Sequence, residues 1–434
     1  MVRRAPGGER VGLAAEGQSV ADLGEERPAA GRAWRRIRTP DGIEGWVAAD
    51  FVAAPAAPAA PPSQAAQSAT STPSEPTPSS ALGTSPDYAA RSPEYGMNVF
   101  LAGNAATTGR DLALLNRIGF DWQKSLFQWR QIEGAGKGVF DWRDADRVVA
   151  ASRSAGVKII ARLDFQPRWA RADEASNGPP REYGDYADFV SAFVDRYRAG
   201  SPRGTVHAIE IWNEPNLGRE WGGAPIDARQ AADYVRLLKA GYEAAKRADP
   251  SVTVISAGLS PTCTDDETAR PDDVYLQWMY DARAGPYFDV LGAHGAGYDK
   301  PPAASPEESA ERHGGCRVFT FRRVEDLRAV MERNGDGNKQ IWLLEFGWTT
   351  DRVHPAYAWH AVTPEAHGDY VVGAYRWARE HWAPWIGVMA LWNLPDPNWG
   401  HDREEYWWGV ANPDGSARPA LDRLLAARRD GRLP

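Results

Sequence analysis

From residue 93 onward, two hydrophobic patterns alternate along the chain. Short runs dense in Val, Ile, Leu and aromatic residues, at 95–101, 121–129, 157–165, 207–214, 252–260, 288–296, 340–348 and 386–394, read as strands. Between them, stretches such as "GRDLALLNRIG", "WRDADRVVAASRSAG", "YADFVSAFVDRYRAG", "AADYVRLLKAGYEAAKRAD" and "RRVEDLRAVMERNG" carry apolar residues at three- and four-residue intervals, as helices do. Eight strand–helix units in about 340 residues predict an α/β fold, and they fit a (β/α)8 TIM barrel better than an open sheet. Ahead of this region, "AWRRIRTPDGIEGWVAADFV" (33–52) alternates apolar and polar residues around a Pro-Asp-Gly turn, which predicts a small all-β unit. Residues 54–92 are almost wholly Ala, Pro, Ser and Thr, too poor in apolar surface to offset chain entropy, and read as a disordered, semi-stiff linker. The expected organisation is therefore 1–53 β unit, 54–92 linker and 93–434 barrel.

Composition changes this picture in few places. The 434 residues carry a formal net charge of -8 without basic runs, which argues against nucleic acid and anionic membranes as partners. No run reaches the roughly 18 to 20 apolar residues of a membrane span, and the opening "MVRRAPGGER" lacks the apolar segment of a signal peptide. The 19 Trp and 15 Tyr suit both a packed core and the flat faces of sugars. Cys263 and Cys316 can form a disulfide or stand as two free thiols. No metal-ligand spacing occurs, so neither a metal nor a cofactor is expected.

Candidate chemistry follows from strand ends, because the active site of a TIM barrel lies at the C-terminal ends of its strands. Glu214 closes the fourth run and Glu345 the seventh, "IWLLEFGW". Strict alternation puts Glu210, Trp212 and Glu214 on one face, and Ile341, Leu343 and Glu345 on another; with both faces inward, the two terminal glutamates converge on the mouth. Two carboxylates facing each other roughly 5 to 5.5 Å apart are what retaining glycoside hydrolysis uses.

"WNEPN" at 212–216 together with "LLEFGW" at 343–348 resembles clan A glycoside hydrolases, and the 93–434 region looks most like family 39. The stretch "FQWRQIEGAGKGVFDWRDADRVVAASRSAGVKII" (127–160) is similar to the clan's second and third βα units, and "GHDREEYWWGVANPDGSARPALDRLL" (400–425) to its closing segment. The resemblance implies Glu214 as acid/base, Asn213 as donor to the sugar 2-hydroxyl and Glu345 as nucleophile. It also implies Trp392, in "ALWNLPD", as a sugar platform, and His294 and Tyr298, in "GAHGAGY", as substrate contacts; the common His-Pro-Tyr form is absent, and Ala296 stands where that tyrosine would be. A nucleophile must stay ionised while an acid holds its proton, so Glu345 is expected to have the lower pKa.

Further readings surround this pair. Arg162 either hydrogen-bonds the nucleophile or pairs with Asp164. Trp169, Trp129, Trp348 and Trp399 are subsite walls or packing, with Trp169 taken as a substrate contact. Lys124, inside a strand, either contacts substrate or neutralises Glu133 or Glu210, and the second is expected. Cys263 and Cys316 fall in the loops after strands five and six, where a disulfide would tie neighbouring loops in an exported protein.

At its start, "VRRAPG" followed by "WRRIRTPDGIEGWVAADFV" resembles a bacterial SH3-like domain, a type of attachment module on exported proteins. The resulting expectation is a monomeric, secreted or cell-surface retaining β-glycosidase, endo-acting on a polysaccharide, with a wall or matrix ligand for the SH3-like unit. An exo-acting β-xylosidase or β-glucosidase and a non-catalytic carbohydrate-binding protein are the alternatives. A wall amidase would need a zinc set or a Cys/His pair, and the sequence has neither.

Overall fold

The computed structural model describes residues 2–3, 5, 10–12, 20–29, 32–39, 43–49, 92–172 and 177–433, in two compact units that divide between Ser80 and Ala81. The expected linker, up to residue 91, lies outside the described residues, as does the Pro40–Gly42 turn.

In the first unit, β1 (Val2–Arg3), β2 (Arg10–Gly12), β3 (Ala21–Ala29), β4 (Arg32–Arg38) and β5 (Glu44–Ala48) form one antiparallel sheet in the order β2-β1-β5-β4-β3. The β4–β5 register sets Trp34 opposite Ala48 and Arg38 opposite Glu44. Period-two alternation then sorts the side chains, with Trp34, Trp46 and Ala48 packed together on one face and Ile37 with Val47 on the other.

The second unit is the barrel. Its strands are β6 (Glu94–Asn98), β7 (Trp122–Leu126), β8 (Lys158–Leu163), β9 (Ala208–Ile211), β10 (Thr253–Ser256), β11 (Leu291–Ala296), β12 (Ile341–Gly347) and β13 (Ile386–Leu391), all parallel, each beside its sequence neighbour. Bridges from Ile255 to Val290 and from Leu259 to Ala293 join β10 to β11 and close the circle. Helices follow the strands in turn: α1 (Ala105–Ile118), α2 (Trp129–Ile132) and α3 (Arg143–Ala155), α4 (Tyr183–Arg196), α5 (Ala228–Ala248), α6 (Asp272–Asp281), α7 (Pro306–Arg312) and α8 (Val324–Arg333), α9 (Pro355–Ala358) and α10 (Pro364–His381), and α11 (Pro419–Arg429). All eight runs read from the hydrophobic pattern are strands, most ending earlier than the pattern suggests. No described helix is long and apolar enough to cross a membrane.

Inside the barrel, composition changes with height. An apolar cluster of Trp122, Ile160, Ala208, Ile255, Val290, Trp342, Leu344 and Val388 fills the lower part. Two residues further along the same faces stand Lys124 above Trp122, Arg162 above Ile160 and Glu210 above Ala208, and these charged groups pair with one another or with Glu345. The inward columns of β7, β8 and β9 thus begin apolar and end charged, toward the C-terminal mouth.

Both proposed catalytic glutamates reach that mouth by breaking strand alternation, which corrects the shared-face expectation. Trp342 and Leu344 point inward while Ile341 and Leu343 pack in the outer core. A register shift against β11, where Ala293 pairs with Leu343 but His294 with Glu345, inserts an extra residue and turns Glu345 inward directly after Leu344. The Asn98 amide, reaching from β6, donates to the Leu344 carbonyl at 2.8 Å at this bulge. On β9 regular structure stops at Ile211, and Trp212 (φ 74°) and Glu214 (φ 38°) are left-handed. Trp212 is thereby swung into the outer core against Tyr186 and Trp221 rather than sharing a face with Glu210.

Cys263, after β10, and Cys316, after α7, are joined in a disulfide with Cα atoms 5.9 Å apart, tying together the loops after β10 and β11 across 53 residues. Closing a loop of that size limits the unfolded chain by up to about 4 kcal/mol on the chain-entropy account. Reduction, or Cys316→Ser, should therefore lower the thermal midpoint of the barrel; an unchanged midpoint in calorimetry would show that the loops are held by their packing alone. Asn98→Leu leaves buried carbonyls without their donor and should reduce stability by about 1–3 kcal/mol in urea unfolding. An unaltered urea midpoint would mean that the bulge at Leu344 persists without the amide.

Candidate active site

The segment 212–216 is positioned residue by residue. The Trp212 indole donates to the Glu220 carbonyl at 2.8 Å, and the Glu214 amide donates to the Gly258 carbonyl at 3.1 Å. The Pro215 carbonyl accepts from Gln230 of α5. The Asn216 amide donates to the carbonyls of Ser260 and Arg270 and accepts from the Ser260 amide, fastening this loop to the one after β10. Backbone strain is concentrated here: of the five non-glycine residues with positive φ among the described residues, Phe165, Trp212, Glu214 and Tyr298 follow or end barrel strands on the mouth side.

Within the mouth, one imidazole stands between the two glutamates. His294 Nδ1 lies 2.9 Å from Glu214 Oε1, and its Nε2 lies 3.8 Å from Glu345 Oε1. Gly258 makes room for that ring, since a Cβ there would overlap the imidazole. The Gly258 amide also donates to Glu210 at 3.1 Å. Glu345 takes Lys124 Nζ at 3.0 Å and Arg162 Nη1 at 3.5 Å on the same oxygen. Lys124 continues to Glu210 at 3.1 Å and is 2 % exposed, while Glu133 is occupied by the Trp129 indole and the Gly138 amide. Lys124 therefore neutralises Glu210, as read from the sequence, and also touches Glu345, which was not read. Arg162 does both things expected of it as alternatives, pairing with Asp164 at 2.9 Å and facing Glu345.

Contacts among these groups close into a ring. Asp164 accepts from Asn177 at 3.0 Å, Asn177 donates to Glu220 at 3.1 Å, and Glu220 faces Arg219 at 3.5 Å. Arg219 reaches Glu214 at 3.1 Å, and Glu214 returns through His294 to Glu345 and Arg162.

These charges set the protonation of the site. Burial by itself would raise Glu214, but the hydrogen bond and charge of His294, then Arg219 and the Ser260 hydroxyl, bring the carboxyl down to about 2. Burial likewise opposes ionisation of Glu345, and the charges of His294, Lys124 and Arg162 overcome it, leaving the group below the ordinary glutamate value. For His294, burial lowers, Glu345 and Glu214 raise, and the net direction is upward. Both carboxyls are thus held ionised; the expectation of a lower value for Glu345 counted donors around that carboxyl and left out the imidazole and guanidinium on Glu214.

The remaining sequence-derived residues divide. Asn213 is buried next to Glu214 in the chain, and its side-chain oxygen is unpaired among the described residues. Trp392, at the end of β13, is half-buried, edge-on to Phe100 at 5.7 Å, and Phe100 meets Trp399 at 4.4 Å, making an aromatic wall. Tyr298 makes no hydrogen bond to either glutamate; its hydroxyl faces the Pro261 carbonyl at 3.5 Å and its ring stacks on Trp359 and meets Phe319 and His360. Trp129 and Trp348 are fully buried core residues, and Trp169 leans on Trp129 with its indole donating to the Glu133 carbonyl.

Trp359, which the sequence reading passed over, is 50 % exposed yet backed by Tyr298, Phe319, His313 and His360. Its signal was an indole in a polar loop outside any periodic run. A separate cavity of about 320 Å³ opens between the end of β7 and the start of α3, lined by Gln128, Gln131, Asp141 and Arg147 among others, and neither glutamate borders it.

No protein-family model matches the chain. A curated beta-xylosidase of Geobacillus stearothermophilus is 22% identical over 309 residues, 63% of this chain and 57% of the relative, so the chain spans little more than half of that relative's length. Among solved structures, a family 39 glycoside hydrolase from Bacteroides cellulosilyticus WH2 superposes with a TM-score of 0.56 at 17% identity, covering 92% of this chain and 70% of the other. A glucosidase from Croceicoccus marinus gives a TM-score of 0.56 at 14% identity, covering 77% and 66%. The chain shares the (β/α)8 barrel fold of clan A glycoside hydrolases.

Proposed function

We propose that the chain is a retaining glycoside hydrolase that cleaves β-glycosidic bonds by double displacement, with Glu345 as nucleophile and Glu214 as acid/base. One observation carries this reading: a single imidazole, hydrogen-bonded to Glu214 and with its other nitrogen 3.8 Å from Glu345, stands between the two carboxyls while Lys124 and Arg162 hold Glu345 ionised. Glu345 attacks the anomeric carbon, and a proton from Glu214 passes to the leaving oxygen. Glu214, then a base, activates the water that releases the sugar from Glu345.

The resting ionisation of Glu214 does not oppose this role. His294⁺ beside Glu214⁻ and neutral His294 beside protonated Glu214 carry the same net charge, so a shift of one proton across the 2.9 Å contact arms the acid. Asn213, next to Glu214 in the chain, and the wall of Trp392, Phe100 and Trp399 would orient the sugar. Endo-action on a polysaccharide follows from the reading of the first unit as an SH3-like attachment module for a wall or matrix ligand. The loop disulfide supports export to an oxidising compartment. The names of the relatives make β-xylosides and β-glucosides the first substrates to assay, and product lengths distinguish endo from exo action.

Release of reducing ends from β-glucans, xylans, mannans and galactans should be abolished by Glu345→Ala and lowered about 10²–10⁴-fold in kcat/KM by Glu214→Ala. Turnover that survives both substitutions would remove the assignment, and binding without turnover in the wild type would favour a carbohydrate-binding protein. The pH profile of kcat/KM should fall on the alkaline side above the ordinary imidazole value, because the shared proton is bound more tightly than in free histidine. On the acid side it should fall only below the ordinary glutamate value, because Glu345 is held ionised. His294→Asn removes the cation that favours both carboxylates and leaves Glu214 to hold the proton alone. The acid limb should then move up and the alkaline limb down; limbs that stay in place would exclude a proton shared through His294.

A further inference from the structure

Arg219 is the unusual member of the ring of charges. It sits in the three-residue turn Gly218–Glu220 just beyond "WNEPN", and its side chain is 71% exposed while the Glu214 side chain it touches is 13% exposed. Its Nη2 lies 3.1 Å from Glu214 Oε2 and its Nε 3.5 Å from Glu220 Oε1, and its Nη1 donates to nothing among the described residues. The two oxygens of Glu214 thus face different ways. Oε1 looks through His294 toward Glu345, and Oε2 looks outward to Arg219. An acid catalyst meets the glycosidic oxygen, so the sugar lying beyond it from Glu345 is the leaving group, and Arg219 stands on that side.

We propose, resting on the hydrolase reading above, that Arg219 is the residue that selects a leaving-group sugar bearing a carboxylate. The planar guanidinium has donors to spare and grips a carboxylate with two parallel hydrogen bonds. In its present hold on Glu214 the guanidinium is the exposed end of the pair, so it can turn from the carboxylate toward a ligand while staying in contact with solvent. Glu220 has another partner in Asn177. An incoming carboxylate therefore displaces Glu214 from Arg219 without stranding Glu220.

The displacement also serves the chemistry. Of the cations facing Glu214, His294 can give it a proton and Arg219 cannot, so drawing Arg219 onto the substrate leaves Glu214 with its proton donor. The carboxylates against Arg219 are Glu214 and Glu220, and a single acidic sugar supplies one carboxylate in place of the one that Glu214 withdraws. The net charge of -8 gives a uniformly anionic polymer no long-range attraction. The carboxylate could belong to a hexuronic acid or to a lactyl-ether sugar of the muramic type.

The test is ligand-observed NMR titration of the full chain with glucuronate against glucose and with N-acetylmuramate against N-acetylglucosamine. At least one acidic sugar should bind about tenfold tighter than its neutral counterpart, with the preference lost in Arg219→Gln and partly kept in Arg219→Lys. Which acidic sugar shows the preference identifies the source of the carboxylate. Equal binding of acidic and neutral sugars to the wild type, or a preference that survives Arg219→Gln, overturns the proposal. Binding is read without turnover, so a chain inactive on every glycoside would remove the hydrolase reading and leave this result standing on its own.

Discussion

Ionised carboxyls cannot be held at the end of an apolar barrel without matched cations, and this constraint organises the second unit. Moving one such ion out of water costs several kcal/mol even after relaxation, and removing a single partner of a buried pair costs about 3–5 kcal/mol. The barrel answers with Lys124 from β7 and Arg162 from β8, set one step above the apolar layer of Trp122 and Ile160. Lys124 has the central place, since Glu210 and Glu345 meet on its ammonium. Position in the mouth, charge on Glu345 and packing of the layer below are therefore not separable properties.

The second organising device is controlled irregularity. A regular strand would have sent Glu345 outward together with Ile341 and Leu343, and a regular continuation of β9 would have put the Trp212 indole where the ligand belongs. A bulge supported by Asn98 and two left-handed residues correct both, at a cost in backbone strain that the surrounding hydrogen bonds offset. Gly258 performs three tasks at one position: its amide serves Glu210, its carbonyl receives the Glu214 amide, and its missing side chain admits His294.

This division explains what was legible in the sequence. Hydrophobic periodicity revealed all eight barrel strands and the helices α1, α3, α4, α5 and α8, because layer packing rewards the same spacing in each. Strand-end placement put Glu214 and Glu345 together at the mouth, where both lie around His294. Periodicity could not reveal which way they face, since the bulge at Leu344 depends on Asn98, 246 residues away in the chain, and the φ of Trp212 on contacts with Leu163, Tyr186 and Glu220. The link of Lys124 to Glu345 crosses 221 residues and has no local signature. Trp129 and Trp348 look in sequence like the half-exposed Trp392, and only the depth of each position separates packing from wall. Tyr298 was read from a motif whose spacing differs here, and its ring turns instead toward Trp359.

The apolar floor of the barrel has a consequence for the order of events. With Trp122, Ile160, Trp342, Leu344 and Val388 packed across the lower interior, nothing enters from below, and sugar, leaving group and water share one doorway. Under the proposed chemistry, the attacking water must come through the space that the leaving group has just vacated. A second sugar alcohol waiting there competes with water for the same bound glycosyl unit, so the architecture that enforces departure before hydrolysis also opens a route to making glycosidic bonds.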